Sequence, residues 1–108
     1  MSETKYKLRY LPMFYDDLSE TVGYIRGKLC NPQAAGELVD AVETAILERL
    51  PVAESFEPFH SAKERKYPYY RIYVKNYVVY YAVIDDEGTD KIMEVRRFLY
   101  NKQDRNRL

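Results

Sequence analysis

Apolar and polar positions alternate at the start of the chain. Tyr6, Leu8 and Tyr10 are interleaved with Lys5, Lys7 and Arg9, the period-two pattern of a strand with one face on a core and the other in water. Pro12 ends that pattern. Phe14, Leu18, Val22, Ile25 and Leu29 then recur at steps of four, four, three and four, which predicts an amphipathic helix ending near Cys30. Asp16, Asp17 and Glu20 fall toward its N-terminal end, where the helix dipole favours negative charge. Asn31-Pro32 restarts the helical pattern, Asn as a cap and Pro in the first turn. Ala35, Leu38, Val39, Val42, Ile46 and Leu50 form a second helical stripe, closed by Pro51. So short a link between two amphipathic helices predicts a helical hairpin with an apolar surface to cover.

Residues 51–66, PVAESFEPFHSAKERK, have no clear period and read as a surface loop ending in Lys63, Arg65 and Lys66. Alternation returns at Tyr69, with Tyr70, Ile72 and Val74 on one side and Arg71, Tyr73 and Lys75 on the other. Lys75-Asn76 predicts a tight turn, with Asn taking the left-handed conformation. Tyr77 to Ile84 is apolar on both faces, as a central strand is, and Ile92 to Leu99 supplies the last strand before a basic tail. Asp85-Asp86-Glu87-Gly88 lacks the alternating ligands and closing Glu of a calcium loop and reads as a turn. The resulting expectation is a single α+β domain over residues 1–108: an N-terminal strand, a helical hairpin and a three-stranded antiparallel meander. Both helices lie on one face of a four-stranded, mainly antiparallel sheet, and the opposite face is partly open.

Composition narrows the class without changing this picture. At 108 residues, 46% hydrophobic and 31% charged, the chain suits one folded domain. The opening MSETKYKLRY has no signal-peptide core, and no apolar run reaches the roughly 18 residues of a membrane span, so the expected location is the cytoplasm with no membrane partner. Cys30, the single cysteine, excludes an internal disulfide and a thiolate zinc cluster. Zero net charge conceals an uneven distribution: residues 1–60 hold six Lys/Arg against ten Asp/Glu, and residues 61–108 hold eleven against seven. A chain polarised in this way either presents a basic face to nucleic acid or an acidic partner, or carries a solvated surface.

The tyrosines of the predicted hairpin divide by alternation. Tyr70, Tyr77 and Tyr81 fall on the helix-facing side and are expected in the core. Tyr73 and Tyr80 fall on the open side beside Arg71 and Lys75, an aromatic-plus-cation combination suited to a base or a partner segment. Arg97, Tyr100 and Lys102 add a second cationic and aromatic set at the end of the chain. For Arg97 and Tyr100 a structural alternative stands beside a chemical one: Arg97 paired with Asp104 or a helix carboxylate, and Tyr100 packing the tail. His60, the only histidine, is either a proton shuttle or an exposed bystander in its loop.

DDLSETVGYI, AAGELV after Pro32, YYRIYVKNYVVYYAVID and VRRFLYNKQD, in this order and spacing from Tyr6 to Asp104, resemble the RelE/ParE superfamily of toxins from bacterial type II toxin-antitoxin systems. The resemblance implies a compact toxin neutralised by a cognate antitoxin, which would cover the apolar rim and the basic face. It also implies one of two activities. RelE-like members are ribosome-dependent endonucleases that cut messenger RNA without a metal or other cofactor; ParE-like members poison DNA gyrase without an accepted hydrolytic site. A degenerate toxin serving only as antitoxin-binding partner is a third outcome. The first reading, with ribosome and messenger RNA as partners, places Arg71, Arg97, Tyr100 and Lys102 in catalysis, with Tyr73, Lys75, Tyr80, Lys63 and Arg65 on the nucleic acid. One departure favours the gyrase alternative: Val78 stands where the nucleases carry a third-strand arginine.

Overall fold

The computed structural model describes residues 5–59 and 66–102. Its elements are β1 (Tyr6–Tyr10), α1 (Pro12–Gly23) running into a single π-turn (Tyr24–Lys28), α2 (Pro32–Arg49), a 3₁₀ turn (Leu50–Val52), β2 (Tyr69–Val74), β3 (Tyr77–Asp85) and β4 (Lys91–Tyr100). The sheet order is β1-β4-β3-β2, antiparallel throughout the meander and parallel between β1 and β4. The helical hairpin carries the chain from one edge of the sheet to the other, and the meander then returns it to β1. The expected α+β architecture is therefore present as a mixed sheet.

Phe14 of α1 and Leu38, Val42 and Ile46 of α2 bury their side chains against Tyr70, Ile72, Val79, Tyr81, Met93, Val95 and Phe98 of the sheet. Tyr70 and Tyr81 are thus core residues, stacked at 5.2 Å, and Tyr77 packs at the margin of the same cluster. The Tyr81 hydroxyl donates to the Ala53 carbonyl at 2.7 Å and accepts from Arg49 Nη1 at 3.0 Å, so a phenol enters the core with its polar end satisfied.

Three local expectations need correction. Leu29 is 56% exposed because the helix leaves its 3.6-residue period at the π-turn, which rotates the last position off the buried stripe. Lys75, not Asn76, takes the left-handed conformation of the β2–β3 turn, with φ +54°. That places Lys75 in the turn and not on a strand face. The segment after α2 is more than surface loop: Ala53 is fully buried, and Phe59 pairs with Tyr69 to extend the β2 edge.

That segment also changes the far face of the sheet. Phe59 and Tyr67 pack on Tyr69, Val78, Tyr80, Ala82 and Leu99, forming a second, smaller apolar cluster on the face that was expected to be partly open.

Asn31 caps α2 as its sequence position indicates, its side chain accepting from the Ala34 amide at 3.0 Å, with Pro32 in the first turn. Replacing a capping side chain leaves a helix N–H unsatisfied, so Asn31→Ala is expected to lower stability by about 1 kcal/mol in urea denaturation.

Candidate functional site

The sheet has two faces with different chemistry, and register assigns residues to each. On the face away from the helices, β1 contributes Lys7 and Arg9, β4 contributes Glu94 and Arg96, and β2 contributes Arg71 and Tyr73. Glu94 sits opposite Arg9 in the parallel pair and is 5% exposed. Its carboxylate accepts from Arg9 through Nε at 2.9 Å and through Nη2, and from Arg96 Nε at 2.8 Å. Burial pushes the Glu94 pKa up, but the hydrogen bonds and charges of Arg9 and Arg96 outweigh it and hold the group below the ordinary glutamate range. Arg96 also lies over the Tyr69 ring, 5.5 Å from its centre.

Arg71 lies 4.7 Å from the centre of the Phe59 ring and 5.6 Å from that of Tyr73. Tyr73 is 56% exposed and Lys75 is exposed beside it in the turn. Arg71, Tyr73, Arg96 and Arg9 together make a cationic surface with one accessible aromatic ring. Tyr80 does not join it: at 2% exposure it is covered by Phe59 and Tyr69, at ring separations of 5.9 and 6.3 Å. Val78, opposite Tyr73, is buried in the same small cluster and supplies no charge. Lys63, Arg65, His60 and Asp104 lie outside the described residues.

Arg97 has a different environment. Its Nε donates to Asp17 Oδ2 at 2.7 Å and its Nη2 to Oδ1 at 3.1 Å, with side-chain exposures of 13% and 11%. The hydrogen bond to Asp17 raises the Arg97 pKa, keeping a residue that is already cationic firmly so. Asp17 Oδ2 accepts a third bond, from the Phe98 amide at 3.0 Å. The helix-carboxylate alternative for Arg97 is the observed one.

Tyr100 lies opposite Tyr77, and their rings meet edge to face at 5.7 Å. Because Tyr77 packs on the helix-side core, Tyr100 is on the helix side as well, at a groove between α1 and the ends of β3 and β4. Arg71, paired with Tyr80, is on the other face. Four residues assigned to one reaction therefore occupy three places: Arg71 on the far face, Arg97 at the α1 contact, and Tyr100 at the groove followed by exposed Lys102. Every tyrosine hydroxyl with a displaced pKa is displaced upward, chiefly by burial: Tyr6 to about 12, where Glu54 adds to the effect, and Tyr10, Tyr70, Tyr77 and Tyr81 in the same direction.

The residues that sequence reading missed are the carboxylates. Glu94 is the sole acid in the apolar run of β4, where an unpaired charge would be costly, and the nearby arginines were the available signal. Asp17 resembled its neighbour Asp16, and only the turn of the helix separates their roles. No group of His, Cys, Asp and Glu among the described residues could hold a metal ion.

Two measurements test these assignments. Removing one partner of a buried pair strands the other, so Arg97→Ala is expected to destabilise the protein by about 3 kcal/mol in urea denaturation. For Glu94, the folded pKa lies below the unfolded value of about 4.3, so the group's contribution is full above that pH and is lost as pH falls through the lower folded value. Glu94→Gln is expected to flatten this acid limb in a plot of stability against pH.

With this geometry in view, a known protein family matches the chain. The family described as the ParE toxin of the type II toxin-antitoxin system, parDE, aligns with residues 8–104. No curated protein matches the chain. No helix among the described residues is long and apolar enough to cross a membrane. The match covers both helices, all the meander and all but the first two residues of β1, and the chain belongs to the ParE toxin family of type II toxin-antitoxin systems, with the cognate antitoxin that such a system implies.

Proposed function

We propose that this toxin acts by binding a protein target, DNA gyrase, and carries out no hydrolytic step of its own. The observation that supports this reading is the separation of Arg71 from Tyr100 by the thickness of the sheet. A ribonuclease that activates a ribose 2′-hydroxyl needs a proton acceptor, a cation on the phosphate and a proton donor to the leaving oxygen around one scissile bond. Here Arg71 and Tyr100, the candidate cation and donor, lie on opposite faces of the sheet. Arg97, which would supply further charge, has its guanidinium committed to Asp17 in a bidentate pair. The far face, with Arg71, Arg96 and the exposed ring of Tyr73, has the character of a docking surface for an acidic protein surface.

One observation favours the messenger RNA endonuclease as the second reading: the same cationic face, with Tyr73 as a stacking ring, would also suit a phosphate backbone. The two readings part in a paired assay of plasmid supercoiling by purified gyrase and of primer extension on a message in a reconstituted translation reaction. Supercoiling is expected to fail at toxin excess, to recover on adding antitoxin, and the message is expected to stay intact. Tyr73→Ala should weaken inhibition by roughly tenfold with an unchanged Tm, as loss of an exposed anchoring ring does. Unimpaired supercoiling together with ribosome-dependent cleavage would replace the gyrase reading with the nuclease.

A further inference from the structure

The groove on the helix side is separate from the cationic face and has the opposite character. It encloses about 590 Å³, within the range of about 300–1,000 Å³ typical of ligand pockets. Asp17, Glu20 and Thr21 of α1, with Tyr24 at the start of the π-turn, line one wall as a single stripe at helical spacing, and Tyr77 and Tyr100 line the other. Tyr24 is 54% exposed and Tyr100 43%, so two aromatic rings flank the opening while Tyr77, stacked on Phe98 at 4.9 Å, forms the floor.

Both charged side chains in the lining are carboxylates, and they differ in what they already hold. Asp17 is occupied by Arg97 and by the Phe98 amide. Glu20, one turn further along, makes no ion pair or side-chain hydrogen bond among the described residues. An anionic ligand would be repelled by Glu20, and a wholly apolar one would desolvate the carboxylate without pairing it. A cation on an aliphatic stem meets both features, its charge on Glu20 and its stem along the faces of Tyr24, Tyr77 and Tyr100.

We infer that this groove is the docking site for a segment of the antitoxin that presents an arginine or lysine side chain next to an aliphatic one. The inference deepens the toxin-antitoxin pairing and rests on it.

The test uses the peptide acetyl-Leu-Arg-Leu-amide, titrated into toxin with isotope-labelled tyrosine rings and followed by NMR, alongside the same peptide with Gln in place of Arg. Ring signals of Tyr24, Tyr77 and Tyr100 should shift saturably with the arginine peptide. Affinity should fall about fivefold for the Gln peptide and about fivefold again when Glu20→Gln toxin meets the arginine peptide. Equal response to both peptides, or shifts confined to Tyr73 and Tyr69, would overturn the assignment. The same titration on toxin copurified with the protein encoded beside it should show no response, because the site is filled. A stable complex that still binds the peptide would overturn the antitoxin assignment alone, whereas failure to form any complex would overturn the pairing on which it rests.

Discussion

A sheet edge leaves backbone groups without partners, and in this protein the helices answer that constraint with charged side chains. β1 covers β4 only as far as Val95, and the ladder is extended by one bond from the Leu11 amide to the Val95 carbonyl. Beyond it no strand among the described residues pairs with that edge of β4. Asp17 reaches that edge from α1, accepts the Phe98 amide and holds the Arg97 guanidinium with the same carboxylate. A charge-assisted bond to a backbone donor is stronger than a neutral one, and Arg97 neutralises the carboxylate that makes it. At the other edge, Arg49 from the end of α2 donates to the Arg71 carbonyl of β2 and to the Tyr81 hydroxyl, and stacks on Phe56 at 3.5 Å. Each helix is thus tied to one edge of the sheet by a polar contact as well as by its apolar stripe.

This arrangement explains why the arginines of the chain have such different prospects in function. Arg97 and Arg49 are held in the fold. Arg9 and Arg96 share one buried carboxylate between two positive charges, so their site keeps a net positive charge. Arg71 rests on aromatic rings and has no carboxylate partner among the described residues. A cation on an aromatic platform remains able to pair with an incoming anion, whereas one in a bidentate buried pair does not. Replacing Arg97 would consequently lower toxicity through stability even if Arg97 never touched a target.

The sequence made the elements legible because each carries its own periodicity. The alternation of Tyr6, Leu8 and Tyr10, the stripe from Ala35 to Ile46, and the cap at Asn31 all depend on neighbours three or four residues away at most. The covered far face was hidden because it depends on Phe59 and Tyr67, which lie in a stretch with no period and reach Tyr80 only through the fold. Tyr80 by alternation alone points to the far face, as it does; whether that face is wet is decided elsewhere in the chain. The role of Asp17 was hidden for the same reason, since 80 residues separate it from Arg97.

The adjacent arginines of β4 show how a small irregularity separates two roles. Tyr80 pairs with Arg97 and Tyr81 with Val95, so β4 carries one extra residue, Arg96, at that point. A bulge of this kind bends the strand and re-aims the side chains beside it. Here Arg96 turns to Glu94 and the Tyr69 ring, while Arg97 reaches around the uncovered edge to Asp17. After the bulge, Phe98 returns to the helix-side core and Leu99 to the far cluster, and Tyr100 is left beside Tyr77 at the groove. Were the strand regular through Arg96, alternation from Val95 would send Phe98 to the far face and Tyr100 with it. The bulge therefore sets which face receives Tyr100, and with it the separation between the cationic face and the aromatic, acidic groove.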